Sequence, residues 1–564
     1  MKKKIALLFL SSLFIYAAEL PLQFFGNKHV DDSQLYGALN LHKPSFYEFY
    51  KKEATLDTKT LKLALETIKS FYKTKGFYHA TIKSKESKDK IVLYIQEKRP
   101  VRVELFSVIS KFDLSSLIPF KKGVIFQTDK FIQSKKDIKR FYKNRGYCKV
   151  SLYAKAWIDI KKDKAYLAYE VKENRPCHFR GIKINAPKNI DAKIIKSLLY
   201  FKKGDIYSLE KIKQSYKSLY ANEGIANVII KTDMQNGFDV NTTIDISQTK
   251  KPIRFQTGGG INSDEGLEFS LGVKNSNFFG DLKTIGISAK YLQLKQSILI
   301  DFNMPLEQKK IFGTSLEYSD EEFLGFRQKM LLARLFLKHR GTNMAFQESL
   351  LFDYSSIRDS EDLVAYPQGD FFLVSPKISW VYDNRDDILD PTKGYFVRAE
   401  LMGSIKSSFS DATYYKYSLE AAYILPLLPS VVALKANYDS LHVSDGSLPA
   451  SYRFYAGGMK SNRAYNYQKL GYRSASGEPI GLSSVLGLVA EYRFKIYGDI
   501  RGVLFSDNTL IGLGDTPDFS KMYSTLGFGF RYKTPIGPLA LDFGFDTKRP
   551  MKQYAVHFRI GELF

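Results

Sequence analysis

The sequence predicts three tandem α+β modules in its first half, followed by an antiparallel transmembrane β-barrel of about 16 strands. Three observations carry this. A proline recurs every 76 residues, at Pro100, Pro176 and Pro252, and each follows an alternating strand. From about Ile253 the pattern changes to short alternating segments punctuated by Gly, Asn and Asp, with aromatics near their ends. After the N-terminal stretch no run of some 18 or more apolar residues occurs, so the chain offers strands and not helices to a bilayer.

The first eighteen residues stand apart from the fold. The stretch MKKKIALLFLSSLFIYAA has three lysines, then an apolar core, then small residues before Glu19. This order is that of a secretory signal peptide cleaved near Ala17 or Ala18, and its core is too short to cross a hydrocarbon layer of about 30 Å. A plain N-terminal anchor is the alternative.

The three prolines have related surroundings: QEKRPVRV, KENRPCHF and QTKKPIRF. The strands before them are IVLYIQE, AYLAYEV and VNTTIDI. A proline cannot donate to a ladder, so it suits the point where a strand ends and the chain crosses to the next module. Within each period a second element recurs: SFYKTKGFYHATI from Ser70, RFYKNRGYCKVSL from Arg140 and SLYANEGIANVII from Ser218. Gly76, Gly146 and Gly224 stand where a helix would end on a left-handed residue before a strand begins. A third echo, FKKGVIF from Phe120 and FKKGDIY from Phe201, opens the helical part of the second and third copies. Each unit reads as strand, helix, helix, strand, strand, and a fixed period of this kind marks an array of like modules. The expected boundaries are 1–18 for the leader, 19–99, 100–175 and 176–251 for the modules, and 252–564 for the barrel.

The formal net charge is +25, and residues 19–250 hold about +20 of it, with 45 Lys and Arg against 25 Asp and Glu. Such a surplus usually means nucleic acid, which an exported chain rarely meets. Anionic lipid headgroups or an acidic partner are therefore expected, with a merely solvated lysine-rich surface as the other reading. The two cysteines, Cys148 and Cys177, do not make a disulfide-built scaffold. An exported location permits a bridge between them, and sequence alone does not decide it. Seven scattered His show no zinc-ligand spacing, and there is no nucleophile elbow and no phosphate-binding loop. No metal, cofactor or enzymatic activity is expected.

In the second half LEFSLGVKNSNF, TIGISAKYLQL, YFVRAELMG, YKYSLEAAYIL, LGLVAEYRFKI, TLGFGFRYKT and LALDFGFD all alternate. About 310 residues, at roughly 20 per strand with its loop, give about 16 strands, and barrels of this type have even numbers. A soluble sandwich or propeller would leave the leader and the final aromatic residue unexplained.

Three exported units of about 75 residues with this element order and helix–Gly–strand joint resemble POTRA domains. These are the periplasmic modules of the BamA/TamA outer-membrane assembly superfamily. The resemblance implies that they bind client or partner chains by adding a strand to a sheet edge. Three motifs of the second half carry the same resemblance. DNRDDILDPTKGYFVRAEL, Asp383 to Leu401 with Pro391 and Gly394 at its turn, is similar to the family signature D-x-R-D…P-T-x-G. GFRYKTPIGPLALDFGF, with Pro535, Gly537 and Pro538, resembles the family's penultimate hairpin. YAVHFRIGELF alternates to Phe564, the kind of last strand read as an insertion signal.

RFYAGGMKSNRAYNYQKLG, from Arg453, resembles the family's inward loop, usually R-F-x-x-G-G…V-R-G-[FY]. Arg453, Phe454, Gly457, Gly458, Arg463 and Tyr465 match it. The resemblance implies a loop folded into the lumen, its arginine meeting acidic residues of the wall, for which Glu491 and Asp507 are the candidates. An arginine shielded from water is costly unless paired, and its fork suits carboxylates. The sequence departs from the pattern where the usual Val and Gly are Asn462 and Ala464, and where the Gly expected two residues after Asp507 is Thr509.

Three modules and a barrel resemble the TamA branch more than five-module BamA or the two-module secretion transporters with a plug helix. The resemblance implies a translocation and assembly factor in the Gram-negative outer membrane, its modules in the periplasm, inserting barrel proteins such as autotransporters. It implies a TamB-like inner-membrane-anchored partner, client outer-membrane proteins and outer-membrane lipids as contacts, and no nucleic acid. The expected device is a weak seam between first and last strands. Gly258, Gly259 and Gly260 would either weaken that seam or make an ordinary bend at the rim, and Phe558 and Phe564 stand on its other side. A second function class makes the chain a docking port for a TamB-like phospholipid-transfer bridge. A simple porin would not need three modules.

Overall fold

The computed structural model describes residues 19–41, 54–234, 237–427, 430–534 and 537–560; the leader, Pro535 and Phe564 lie outside the described residues. Contacts divide the chain into two compact units. One runs to Arg180 and takes in Lys203–Glu210 and Asp233–Asn241; the other holds the remainder, including the barrel.

Each module has a small sheet. In the first the order is Thr55–Asp57, Glu19–Phe25, Ile91–Gln96, Thr81–Glu86, and in the second Arg102–Ile109, Lys164–Lys172, Ser151–Asp159. In the third it is His178–Asn185, Asp239–Gln248, Ile225–Asp233. In the first two, the opening strand runs parallel to its hairpin neighbour, an arrangement that needs the intervening helices as a crossover. The long helices Leu61–Thr74, Thr128–Asn144 and Leu209–Tyr220 bury equivalent stripes. These are Leu61, Ala64, Ile68 and Tyr72; Phe131, Ser134, Ile138 and Tyr142; and Ile212, Ser215 and Leu219. Spacings of three and four place each set on one helical face.

Three details differ from the sequence reading. The other helix is short in the first and third modules, Asp32–Ala38 and Ala192–Ser197, and in the second shrinks to a single 3-10 turn, Ser115–Leu117. The FKKG segments do not open the helical part. They lie between two helical segments and turn back onto the opening strand, where Gly123 N–H donates to Val103 (2.8 Å) and Gly204 N–H to Phe179 (2.7 Å). Gly76 and Gly146 do end their helices left-handed, at φ +95° and +101°, with Phe77 N–H reaching Tyr72 O and Tyr147 N–H reaching Tyr142 O. Gly224 has no such φ; a Cβ there would stand 2.5 Å from the Ser276 carbonyl oxygen, so close approach requires the glycine.

The carbonyls of these glycines mark the joints. Val101 donates to Gly76 (2.8 Å), Cys177 to Gly146 (2.8 Å) and Thr249 to Gly224 (2.9 Å). At the second joint Cys148 and Cys177 form a disulfide, their Cα atoms 5.9 Å apart.

The barrel has sixteen strands in sequential order, from Ile253–Asn262 to Tyr554–Ile560, each antiparallel to the next. Its polarity is that of a lipid-facing wall. In the twelfth strand, Ser484–Tyr497, Leu488 and Tyr492 are exposed while Glu491 and Arg493 are buried; in the fourteenth, Met522–Tyr532, Phe528 and Phe530 face out and Arg531 faces in. No described helix is long and apolar enough to cross a membrane.

Candidate functional site

The loop of interest joins the eleventh strand, Ser430–Gly446, to the twelfth. At its neck Phe454 and Leu482 exchange backbone hydrogen bonds of 2.9 and 2.7 Å, and Arg453 donates to the carbonyls of Ala365 and Ile480. Gly457 and Gly458, both left-handed at φ +100° and +99°, then turn the chain, and Met459 N–H donates to the Asp264 carboxylate at 2.9 Å.

Arg463 is fully buried, 0% exposed. Its Nε and Nη2 grip the two oxygens of Asp507 at 2.9 and 2.6 Å, and its backbone N–H donates to the same carboxylate. Nη1 reaches Glu491 at 2.6 Å and Asp542 at 3.2 Å, and the guanidinium stacks 3.4 Å from the Phe505 ring centroid. A planar fork with acceptors on three sides meets the requirement for burying a cation. The Tyr465 hydroxyl donates to Asp546 at 2.6 Å. Gly544 faces the loop: a Cβ there would lie 2.2 Å from the Arg463 carbonyl oxygen.

Sequence reasoning named Glu491 and Asp507; it missed Asp542 and three further arginines. Arg531 holds Asp542 (2.5 and 3.2 Å), Arg559 donates to it at 2.7 Å, and Arg493 grips Glu491 at 2.9 and 3.0 Å. The available signal was a charge between apolar neighbours in an alternating strand, as in GFRY, ALDF and HFRI.

The network also reaches the D-x-R-D turn. Connections after odd strands lie at one end of an up-and-down barrel and those after even strands at the other, so the lumen loop and the turn after the eighth strand, Gly369–Asp383, enter from opposite ends. In that turn Asp390 pairs with Arg501 (2.7 and 3.0 Å), and Arg493 donates to the Pro391 carbonyl at 3.4 Å. The path Arg463–Glu491–Arg493–Pro391 therefore joins the two.

The seam lies beside this loop. Among the described residues no ladder joins the first strand to the last. Ser263, just past the first strand, donates its N–H to Phe558 O at 3.1 Å, and its hydroxyl accepts from Phe558 N–H at 3.3 Å. Asp264, two residues past the first strand, accepts from Met459 N–H of the loop and stands 3.2 Å from His557 Nδ1 of the last strand, so one carboxylate bridges the loop and the last strand. Gly258, Gly259 and Gly260 lie inside the first strand, which pairs with the second in unbroken register from Ile253 to Asn262. Ile253 to Gly259 are exposed throughout. These glycines and Phe558 are not part of the arginine network.

A family model described as the Omp85 superfamily domain matches residues 277–564, and one for POTRA, surface antigen variable number repeat, matches 21–98, 99–174 and 178–248. The outer membrane protein assembly factor BamA of Buchnera aphidicola is 22% identical over 273 residues, 43% of this chain and 43% of that protein. BamA of Nitratidesulfovibrio vulgaris is 19% identical over 468 residues, 79% of this chain and 58% of its own length. The chain thus spans about half the length of the curated relatives it matches. The crystal structure of BamA from Haemophilus ducreyi lacking POTRA domains 1-3 has a TM-score of 0.57 at 16% identity, covering 82% of this chain and 99% of that one, a likeness of fold.

Proposed function

Because the chain belongs to the Omp85 superfamily, we propose that it is an insertion and translocation factor of the TamA type, acting without enzymatic chemistry. A barrel of this family preceded by POTRA repeats is an outer-membrane protein. Client outer-membrane proteins, autotransporters among them, are the substrate class, and a TamB-like protein docks on modules held in the periplasm. The sheet-edge strand Arg102–Ile109, with Leu105 63% and Ile109 66% exposed, supports docking of a partner strand there.

The observation that carries the reading is the seam. Among the described residues the first strand has a ladder on one side only, and its other edge offers N–H and C=O groups as a template for an incoming strand. Cysteines placed at Ser263 and Phe558, which already share hydrogen bonds, would lock it. Oxidised, this variant should drop client insertion into vesicles to the spontaneous rate, and reductant should restore it, with the wild-type chain and its Cys148–Cys177 bond as control. Full activity of the locked form would sink the proposal.

The surplus of about +20 over residues 19–250 favours a second reading, a docking port for a phospholipid-transfer bridge. Deletion strains separate the two. Loss of particular barrel proteins supports insertion; an altered phospholipid balance with normal barrel proteins supports transfer.

A further inference from the structure

A basic cavity lies within the barrel-containing unit, where the helix Leu209–Tyr220 of the third module meets two turns of the barrel rim. The turns follow the fourth and sixth strands, Lys295–Pro305 and Phe326–Arg340, and so lie at the same end. Ser197 of the short helix Ala192–Ser197 donates to Leu306 of the first turn at 3.3 Å, holding it against the module. The cavity has a volume of about 190 Å³. A water molecule occupies about 30 Å³ of the liquid, so there is room for a group several times larger.

Its lining is chemically one-sided. Lys217, Lys309, Lys310 and Arg340 contribute four cations, and among the described lining residues there is no Asp or Glu. Lys309 sits at φ +60°, a conformation unusual for a residue with a Cβ, with its ammonium 3.1 Å from the Tyr200 ring centroid. Burial lowers the pKa of that ammonium, and no carboxylate offsets the effect. The enclosed cation of the lumen loop, Arg463, is by contrast held by carboxylates. Clustered like charges sharing a cavity disfavour one another unless a counter-charge enters. Leu198, Ala221, Pro305 and Ile311 supply an apolar side to the same space. A turn at the end of membrane-crossing strands stands at the depth of lipid headgroups, where each Lys or Arg attracts anionic lipid.

We propose that this cavity is a phosphate-binding site that takes the headgroup of an anionic phospholipid. The assignment does not rest on client insertion, and its test reads lipid binding alone. Full-length protein, delipidated in detergent, is titrated with phosphatidylglycerol and, separately, with inorganic phosphate, and bound ligand is counted by native mass spectrometry. Lys309→Gln and Arg340→Gln should each weaken phosphatidylglycerol binding about fivefold, and the pair about 25-fold. Lys309→Arg should keep it, and heat-modifiable gel mobility reports that every variant holds a folded barrel. Ala221→Trp, which fills the cavity and leaves the cations, should abolish it. Inorganic phosphate that binds as well as the lipid and competes with it would support the phosphate site with the free ion as its source. Lipid binding that survives Ala221→Trp, or that is unchanged in the double Gln variant, would overturn the proposal.

Discussion

Arg463 has an acceptor for each of its side-chain nitrogens, and this makes its worth measurable. Removing it leaves Asp507, Glu491 and Asp542 facing one another without the cation, and breaking a buried pair costs about 3–5 kcal/mol. Arg463→Ala and Asp507→Ala should each lower barrel stability on that scale, and the double variant should cost less than their sum by about 0.5–3 kcal/mol. Denaturant unfolding followed by gel mobility measures this, and strict additivity would place the loop in solvent. How far these residues were legible depended on motif. Arg463, Glu491 and Asp507 stood in or near a recognisable stretch. Arg493, Arg531, Asp542 and Arg559 also lay within quoted stretches, yet their pairing was not legible, because alternation tells which face a charge takes but not what it meets across a curved wall. Asn462 and Thr509 read separately as departures from the family pattern. In the fold they meet: the Asn462 amide donates to the Thr509 hydroxyl (3.2 Å) and to Tyr523 O (3.1 Å), and its oxygen accepts from Thr525 (2.6 Å). Each departure supplies the other's partner.

The glycines separate two kinds of element. Gly544 belongs to the strand Leu539–Asp546 and holds open the space that the Arg463–Ala464 backbone fills, whereas a Cβ at Gly260, in the first strand, would meet nothing within 4 Å. Gly544→Val should therefore expel the loop and expose its lysines to trypsin, while Gly260→Val leaves the loop protected. Equal protection in both variants would remove the close contact from the account. The modules were legible as elements because a period repeats its own errors and successes: the buried helix stripe recurs in each copy. The exception at Gly224 was not legible. Its glycine answers to Ser276, a residue of the barrel 52 positions on, and no local rule for helix ends carries that information.

The barrel wall is uneven in height, and the uneven side is the seam. The third and fifteenth strands, Thr284–Leu292 and Leu539–Asp546, have 9 and 8 residues, whereas the sixth to eighth have 15 each and the eleventh 17. At about 3.4 Å per residue and a tilt of about 40°, eight residues rise roughly 21 Å and fifteen roughly 39 Å. The apolar band of such barrels is about 25 Å tall, so lipid beside the seam is predicted to thin to meet the short strands, at a cost that grows with acyl length. Spontaneous insertion of a client has no such thin border to use. Under the insertion reading, the ratio of assisted to spontaneous client insertion should therefore rise from short-chain to long-chain phosphatidylcholine vesicles. The Ser263–Phe558 lock, which keeps the short wall but denies the template edge, should bring the ratio to unity at every thickness. A ratio that is flat across chain lengths in the unlocked protein would remove thinning from the mechanism and leave the open edge alone to explain it.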